Sequence, residues 1–273
     1  MIDLDAARAV AVAAAEAAGA VITEGVRGPY RIHAKGLDGD VVTDLDHQAE
    51  KVIKARLLES YPGHAILAEE SGLATGVGDL LWVVDPLDGT NNLAIGLPAY
   101  SVGVALCSGG VPLVGVIHDP VRGQTWSAIR DGGARGHGLR TAPTGQDRAL
   151  VLSWVQGYPV GRQDRTAMAY KLLLGAHCRR LLQLWAPQLT WVMLAQGLID
   201  GIIAYRTGSV DLPAGALLAR ECGIMFRALD GGPFEVGVTR ECEHSFIAAR
   251  PEMIERLVEL IGAADGVVLP VIP

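Results

Sequence analysis

The chain is short of cysteine, short of lysine and free of basic clusters. Its four cysteines (Cys107, Cys178, Cys222 and Cys242) are scattered, with no C-x-x-C pair. That spacing argues against a zinc site or a disulfide framework and suits reduced thiols in a cytoplasm. Lysine numbers 4 against 19 arginines, and no basic run offsets a net charge of −7. A nucleic acid is therefore not expected as the primary partner. No apolar run is read as membrane-spanning, so no membrane is expected either. The alanine-rich opening lacks a basic start and carries Asp3, Asp5, Arg8 and Glu16, so it reads as an amphipathic helix and not a signal peptide. There is no internal repeat and no low-complexity tract.

What is present is material for a large core. Half of the 273 residues are hydrophobic and 19% are charged, enough for one large domain or two intimately packed halves. Residues 3–25 read as a helix. A hairpin-like turn at Leu37-Asp38-Gly39-Asp40 leads into Val41-Val42. Asp46 to Tyr61 has helical periodicity, with Ala49, Val52, Ile53, Leu57 and Leu58 on one face, and Pro62-Gly63 stops it. Ile66-Leu67-Ala68 is a short strand running into Glu69-Glu70. Tyr100–Leu106, Val111–Ile117 and Thr125–Ile129 read as consecutive antiparallel strands. The Gly-, Arg-, Thr- and Pro-rich stretch 131–148 is the expected boundary between an N-terminal α+β half (1–140) and a C-terminal α/β half (141–273). The second half alternates: strand 149–155, helices 164–175 and 187–197, strand 200–205, helix 211–222, strand 245–249, helix 251–261. The class is therefore α/β (α+β), in layers.

The most informative segment is Asp85-Pro86-Leu87-Asp88-Gly89-Thr90, which follows the apolar run Leu80–Val84. It is expected where a strand breaks into a tight turn: Pro86 fixes φ and removes a donor, and Gly89 relaxes the steric limit before Thr90. Two carboxylates on a rigid turn beside free backbone N–H groups suit a divalent cation and a phosphate together. Asp46 at a helix start, Glu69-Glu70 at a strand end and Asp211 before another helix are further acids at the ends of apolar elements, where ligands bind in layered α/β proteins. Taken singly, each has a bland explanation as a cap or a solvated face. Together, without compensating bases, they would repel one another unless cations fill the cluster, and hard oxygen ligands select Mg²⁺ or Mn²⁺ over zinc.

These residues resemble the inositol monophosphatase family. The likeness rests on four segments in the family's order: Val42-Thr43-Asp44-Leu45-Asp46, Leu67-Ala68-Glu69-Glu70-Ser71-Gly72, Trp82 through Asn92, and Val210-Asp211-Leu212-Pro213-Ala214-Gly215 followed by Glu221-Cys222-Gly223. Gly115-Val116-Ile117-His118-Asp119-Pro120 matches the strand after the active-site loop, where His118 has a structural role. The resemblance implies a layered αβαβα sandwich, a homodimer, sensitivity to lithium and a phosphoric monoester hydrolase that uses metal-activated water. It implies a first Mg²⁺ on Glu69, Asp85 and the Leu87 carbonyl, and a second on Asp85, Asp88 and Asp211. A third, weaker cation would sit near Asp46 and Glu70. Asp46, Glu70 and Thr90 are the implied catalytic residues. Asp88, Gly89, Thr90, Asn91, Trp185, Ala204 and Asp211 are the implied substrate contacts.

The departures fall on the substrate side. Where the family has Gly-Ser/Thr-Ala-Ala, this chain has Trp185-Ala186-Pro187-Gln188. The acidic residue that grips sugar hydroxyls becomes Ala204, and the aromatic before the last aspartate becomes Val210. A lost carboxylate weakens recognition of a polyol, because hydroxyls left unpaired on burial are costly. The leaving group is therefore expected not to be myo-inositol and to be larger or flatter, such as a nucleoside. Trp185 either stacks on it or fills core volume. Arg179-Arg180 could reach a second phosphate, although a solvated helix face or loop accounts for the pair. Two rival readings remain at this point. One is a covalent aspartyl phosphatase, disfavoured because two residues separate Asp85 from Asp88. The other is a catalytically idle, metal-binding regulatory homologue that keeps the fold.

Overall fold

The computed structural model describes residues 2–35, 39–141, 150–238 and 243–267. In chain order these form α1 (Leu4–Gly25), β1 (Ile32–Lys35), β2 (Asp40–Thr43), α2 (Asp44–Ser60), β3 (Ala65–Ala68), β4 (Gly72–Ala74), β5 (Leu80–Asp88), α3 (Thr90–Ala94), β6 (Ser101–Ser108), β7 (Val111–Asp119), β8 (Gln124–Ile129) and β9 (Gly133–Arg135). The second part continues with β10 (Val151–Gln156), α4 (Arg165–His177), β11 (Arg180–Leu182), α5 (Pro187–Ala195), β12 (Gly201–Thr207), α6 (Pro213–Glu221), β13 (Met225–Ala228), β14 (His244–Ala249) and α7 (Pro251–Gly262).

Two sheets carry the architecture. A seven-stranded sheet runs β4-β3-β5-β6-β7-β8-β9, and a five-stranded sheet runs β11-β10-β12-β14-β13. Both faces of each are covered, so the central strands read as near-continuous apolar runs with residues assigned alternately to the two faces. Along β5, Trp82 and Val84 pack with α1 and α2, while Val83 faces the interior between the sheets. That interior holds α5 and α6 through Trp191, Leu194, Ala216 and Leu217. The outer face of the second sheet packs on α4 and α7 through Leu174, Ile254 and Leu257. The order helix–sheet–helix–sheet–helix is the expected αβαβα sandwich. The change of sheet falls between Arg135 and Val151, across residues 142–149 outside the described set. The interior core nevertheless takes residues from both sheets.

Helix α1 starts where Asp3 caps the Ala6 N–H at 3.1 Å. By length and composition it could cross a membrane, with a mean hydropathy of 1.4. This corrects the expectation that no apolar run reaches that length. Alanine supplies the hydropathy, and its stripe Ala7, Ala11, Ala14, Ala15, Ala18 and Ile22 is wholly buried in the core shared with the first sheet. A helix laid on a sheet through small side chains accounts for the pattern.

Other boundaries move. Helix α2 begins at Asp44, so Asp46 sits in its first turn and does not open it. Strand β5 does not break at Asp85. It runs to Asp88, and its register against β6 shifts between Asp85 and Asp88. That irregularity re-aims the two carboxylates within one strand, as β-bulges do. The hairpin β1–β2 pairs Lys35 with Asp40, while Leu37 and Asp38 of its expected turn lie outside the described residues. Short strands β4, β9, β11 and β13 have too few residues for a periodicity to show. Cys107, Cys178 and Cys222 are free thiols; Cys242 lies outside the described residues.

Candidate active site

The acids converge from two elements and two turns. Asp46 comes from α2, Glu69 and Glu70 follow β3, Asp85 and Asp88 end β5, and Asp211 precedes α6. Asp46 does two jobs. Its Oδ2 accepts the Thr43 N–H at 2.8 Å and the Thr43 hydroxyl at 2.6 Å, a capping box that starts α2. Its Oδ1 accepts the Thr90 hydroxyl at 2.8 Å, which also lies 2.8 Å from the Leu87 carbonyl oxygen. The helix-cap explanation for Asp46 is correct and does not exclude a functional one.

Asp88 Oδ2 accepts the Gln188 backbone N–H at 2.8 Å and the Ser101 hydroxyl at 3.0 Å. Asp85 is 1% exposed, and no N–H or hydroxyl group donates to either of its carboxyl oxygens, which face the Glu69 carboxyl. A buried, unpaired carboxylate is costly. Burial, then Glu69, Asp88 and Asp211, pushes the Asp85 carboxyl well above the ordinary range. Burial and Asp211 do the same to Asp88, against the Gln188 and Ser101 hydrogen bonds. Burial raises Asp211 to about 6 despite Lys35. It raises Glu69 to about 7, with Asp211 adding and Lys35 opposing.

Lys35 is the cation that sequence reasoning missed. Its ammonium donates to Glu69 and Glu70 at 2.8 Å each. Burial works against its charge, but Glu69 and Glu70 outweigh that and hold the ammonium above its ordinary range. The signal available was weak: a rare lysine just before a turn. Glu50 was also missed. Buried on α2, it accepts the backbone N–H groups of Glu70 and Ser71 at 3.0 and 3.3 Å and fixes the acidic turn.

Among the described residues no three acidic, histidine or cysteine side chains already close on one point as a metal cage. The donor set still fits a hard divalent cation: all oxygen, mutually repelling, with both Asp85 oxygens unclaimed by any donor. Gly89 completes the turn with φ +93°, and a Cβ there would lie 2.8 Å from the Ala99 carbonyl oxygen. Only glycine fits this approach. Thr90 then begins the one-turn helix α3.

On the substrate side, Trp185 is not core. It is 56% exposed with φ +58° and meets Tyr158 edge-on at 6.4 Å. Asn91 Nδ2 donates to the Tyr158 hydroxyl at 3.2 Å and to Asp40 Oδ1 at 3.3 Å. Ala204 is buried on β12 and lines a small apolar cavity of about 10 Å³ together with Val155, Pro187, Phe246 and Asp211. Val210 packs against the interior core. Arg179 and Arg180 are exposed, with Arg180 opening the edge strand β11, in keeping with the solvated reading. His118 Nδ1 pairs with the Thr125 hydroxyl at 2.9 Å, and Thr125 donates to Glu16 at 2.8 Å, a structural tie to α1.

The model of the inositol monophosphatase family matches residues 3–264. The chain belongs to the inositol monophosphatase family. It is 30% identical over 263 residues to the Nus factor SuhB of Pasteurella multocida, covering 92% of this chain and 94% of that protein. It is 30% identical over 269 residues to inositol monophosphatase 1 of Solanum lycopersicum, covering 94% and 95%. Among solved structures, the extragenic suppressor protein suhB from Bartonella henselae superposes with a TM-score of 0.82 at 27% identity, covering 94% of this chain and 98% of that one. Membership places the chain among phosphoric monoester hydrolases. The charge-based exclusion of a nucleic-acid partner gains no support from relatives named Nus factor.

Proposed function

We propose that this member is a Mg²⁺-dependent phosphomonoesterase acting on a small phosphorylated alcohol, a sugar, cyclitol or nucleoside phosphate, and is not specific for myo-inositol phosphate. The buried, unpartnered Asp85 among Glu69, Asp88 and Asp211 carries the metal half of this reading. Glu69, Asp85 and the Leu87 carbonyl would hold one Mg²⁺, and Asp85, Asp88 and Asp211 a second. Asp46 and Glu70 would flank a third, weaker one, and Mn²⁺ would substitute. Bound there, divalent cations acidify water and stabilise the leaving oxygen.

The chain's own groups orient the reaction. Thr90, held between Asp46 and the Leu87 carbonyl, presents its hydroxyl oxygen as acceptor to the attacking water, and Asp46 takes up the proton Thr90 passes on. Backbone N–H groups of Gly89 and Thr90 bind phosphate oxygens. Glu70, fixed by Glu50 and Lys35, lines the water side. Ala204 supplies no carboxylate at the position where a polyol would need one. A cytoplasmic homodimer inhibited by millimolar lithium belongs to the same reading, on the family's grounds.

The test is phosphate release, with and without Mg²⁺, across inositol 1-phosphate, fructose 1,6-bisphosphate, histidinol phosphate, 3′-phosphoadenosine 5′-phosphate and nucleoside monophosphates. One preferred, Mg²⁺-dependent substrate other than inositol 1-phosphate supports the reading; inositol 1-phosphate as the best substrate ends its substrate half. The relatives named Nus factor SuhB favour a second reading, a regulatory homologue whose metal site is idle. Release from no member of the panel would favour it.

A further inference from the structure

We propose that Trp185 and Tyr158 form an aromatic platform beside the phosphate-binding turn, which accepts the planar ring of a phosphorylated alcohol such as a nucleoside monophosphate. This deepens the phosphatase reading and rests on it for the placement of the phosphate.

The platform is tied to the turn at several points. Asn92 Nδ2 donates to the Leu184 carbonyl at 2.7 Å, and the Gln188 N–H donates to Asp88 at 2.8 Å. Between them the Ala186 methyl lies 3.3 Å from where a Cβ on Gly89 would stand. Trp185 is therefore held on both sides within reach of the Asp88–Asn92 segment. Tyr158 arrives from the loop after β10, and its hydroxyl is fixed by Asn91, the residue after Thr90.

Neither ring is explained by packing. Trp185 is 56% exposed and Tyr158 47% exposed. Trp185 also holds φ +58°, a left-handed backbone that favours glycine and is an outlier for a bulky side chain. Strain of this kind persists where surrounding contacts over-determine the backbone, and it concentrates at ligand clamps. The 66° angle between the rings gives a ligand ring one indole face to stack on and a phenol edge to abut. Ala204, at the position expected of a hydroxyl-gripping carboxylate, offers a ring no polar side chain. A planar ring needs only a face.

The test compares AMP with ribose 5-phosphate, which share the phosphorylated sugar and differ by the base. With the Mg²⁺-loaded full chain, kcat/KM for AMP is expected to exceed that for ribose 5-phosphate by about tenfold, in line with base–aromatic stacking. In Trp185→Gly, whose glycine suits the left-handed backbone, the ratio falls to near one while the melting temperature is maintained. Trp185→Phe restores part of it. A ratio near one in the unaltered chain, or one unmoved by Trp185→Gly, overturns the proposal. So does a Trp185→Gly variant that turns a dimer into a monomer in sedimentation with its ratio intact, since the indole is then a subunit contact. If neither ester is hydrolysed, the phosphatase reading is decided by the wider panel of phosphomonoesters. The platform is then decided by calorimetry: tighter binding of AMP than of ribose 5-phosphate, lost in Trp185→Gly, upholds it, and equal binding refutes it.

Discussion

Thr90 and Asp46 stand 44 positions apart in the chain and meet through one hydrogen bond, Thr90 Oγ1 to Asp46 Oδ1 at 2.8 Å. The bond joins the first residue of α3 to the first turn of α2, so the acid that completes a capping box also orients the hydroxyl at the turn. Removing the hydroxyl while keeping the shape isolates its role. Thr90→Val should lower turnover by about a hundredfold or more, the usual scale for a positioned proton-transfer group, while Thr90→Ser stays within about tenfold of the parent. Steady-state phosphate release measures both. Equal activity in the valine variant would remove Thr90 from the catalytic path.

Asp88→Asn addresses the metal set. Both protein hydrogen bonds fall on one oxygen, Oδ2, so an amide oxygen can keep them and the fold should survive. The lost charge weakens the proposed second Mg²⁺ site. Mg²⁺-dependent turnover should fall by more than about a hundredfold, beyond the usual effect of altering a group that merely supports a ligand. Wild-type turnover at ordinary Mg²⁺ would refute the assignment.

Gly89→Ala should damage both stability and activity. The left-handed φ and the 2.8 Å approach to the Ala99 carbonyl oxygen leave no room for a methyl group. A non-glycine residue held in such a conformation costs about 1–3 kcal/mol, before any clash is relieved. Chemical denaturation should show that loss, and phosphate affinity should weaken because the turn must shift. A variant as stable as the parent would mean the turn is more pliant than its contacts indicate.

The layering was legible because most long elements carry a clear period. Ala7, Ala11, Ala14, Ala18 and Ile22 mark one face of α1, and the apolar runs of β5, β6 and β7 mark a sheet covered on both sides. The acids were legible through motif order. The route of β5 through Asp88 was not, because Pro86 and Gly89 signal a turn locally while pairing with β6 carries the strand onward. Lys35, Glu50 and Tyr158 were invisible for a different reason. Each acts through contacts with residues distant in the chain, and nothing in its own neighbourhood marks it. Trp185 could not be assigned from sequence, since a tryptophan in an apolar context reads as core until its exposure is known.

The buried acids also set a pH dependence for the metal-free protein. Asp85, Asp88 and Asp211 have carboxyls raised in the folded state from an ordinary value of 3.8, Asp211 to about 6. Below about pH 4 both folded and unfolded chains hold these protons, and the groups add no pH dependence. Above it the unfolded chain has released them while the folded chain retains them. Stability therefore falls as pH rises, by up to roughly 1.4 kcal/mol per pH unit for each such group, until its folded pKa is passed. Thermal melting in EDTA should accordingly give a lower midpoint at pH 8 than at pH 5, and Asp85→Asn should flatten the difference. Excess Mg²⁺ should raise the midpoint more at pH 8, where fewer protons must leave before the cation binds. A midpoint in EDTA that climbs from pH 5 to pH 8, with an equal Mg²⁺ effect at both, would show that these carboxyls are ionised in the folded chain and that something other than a cation relieves their repulsion.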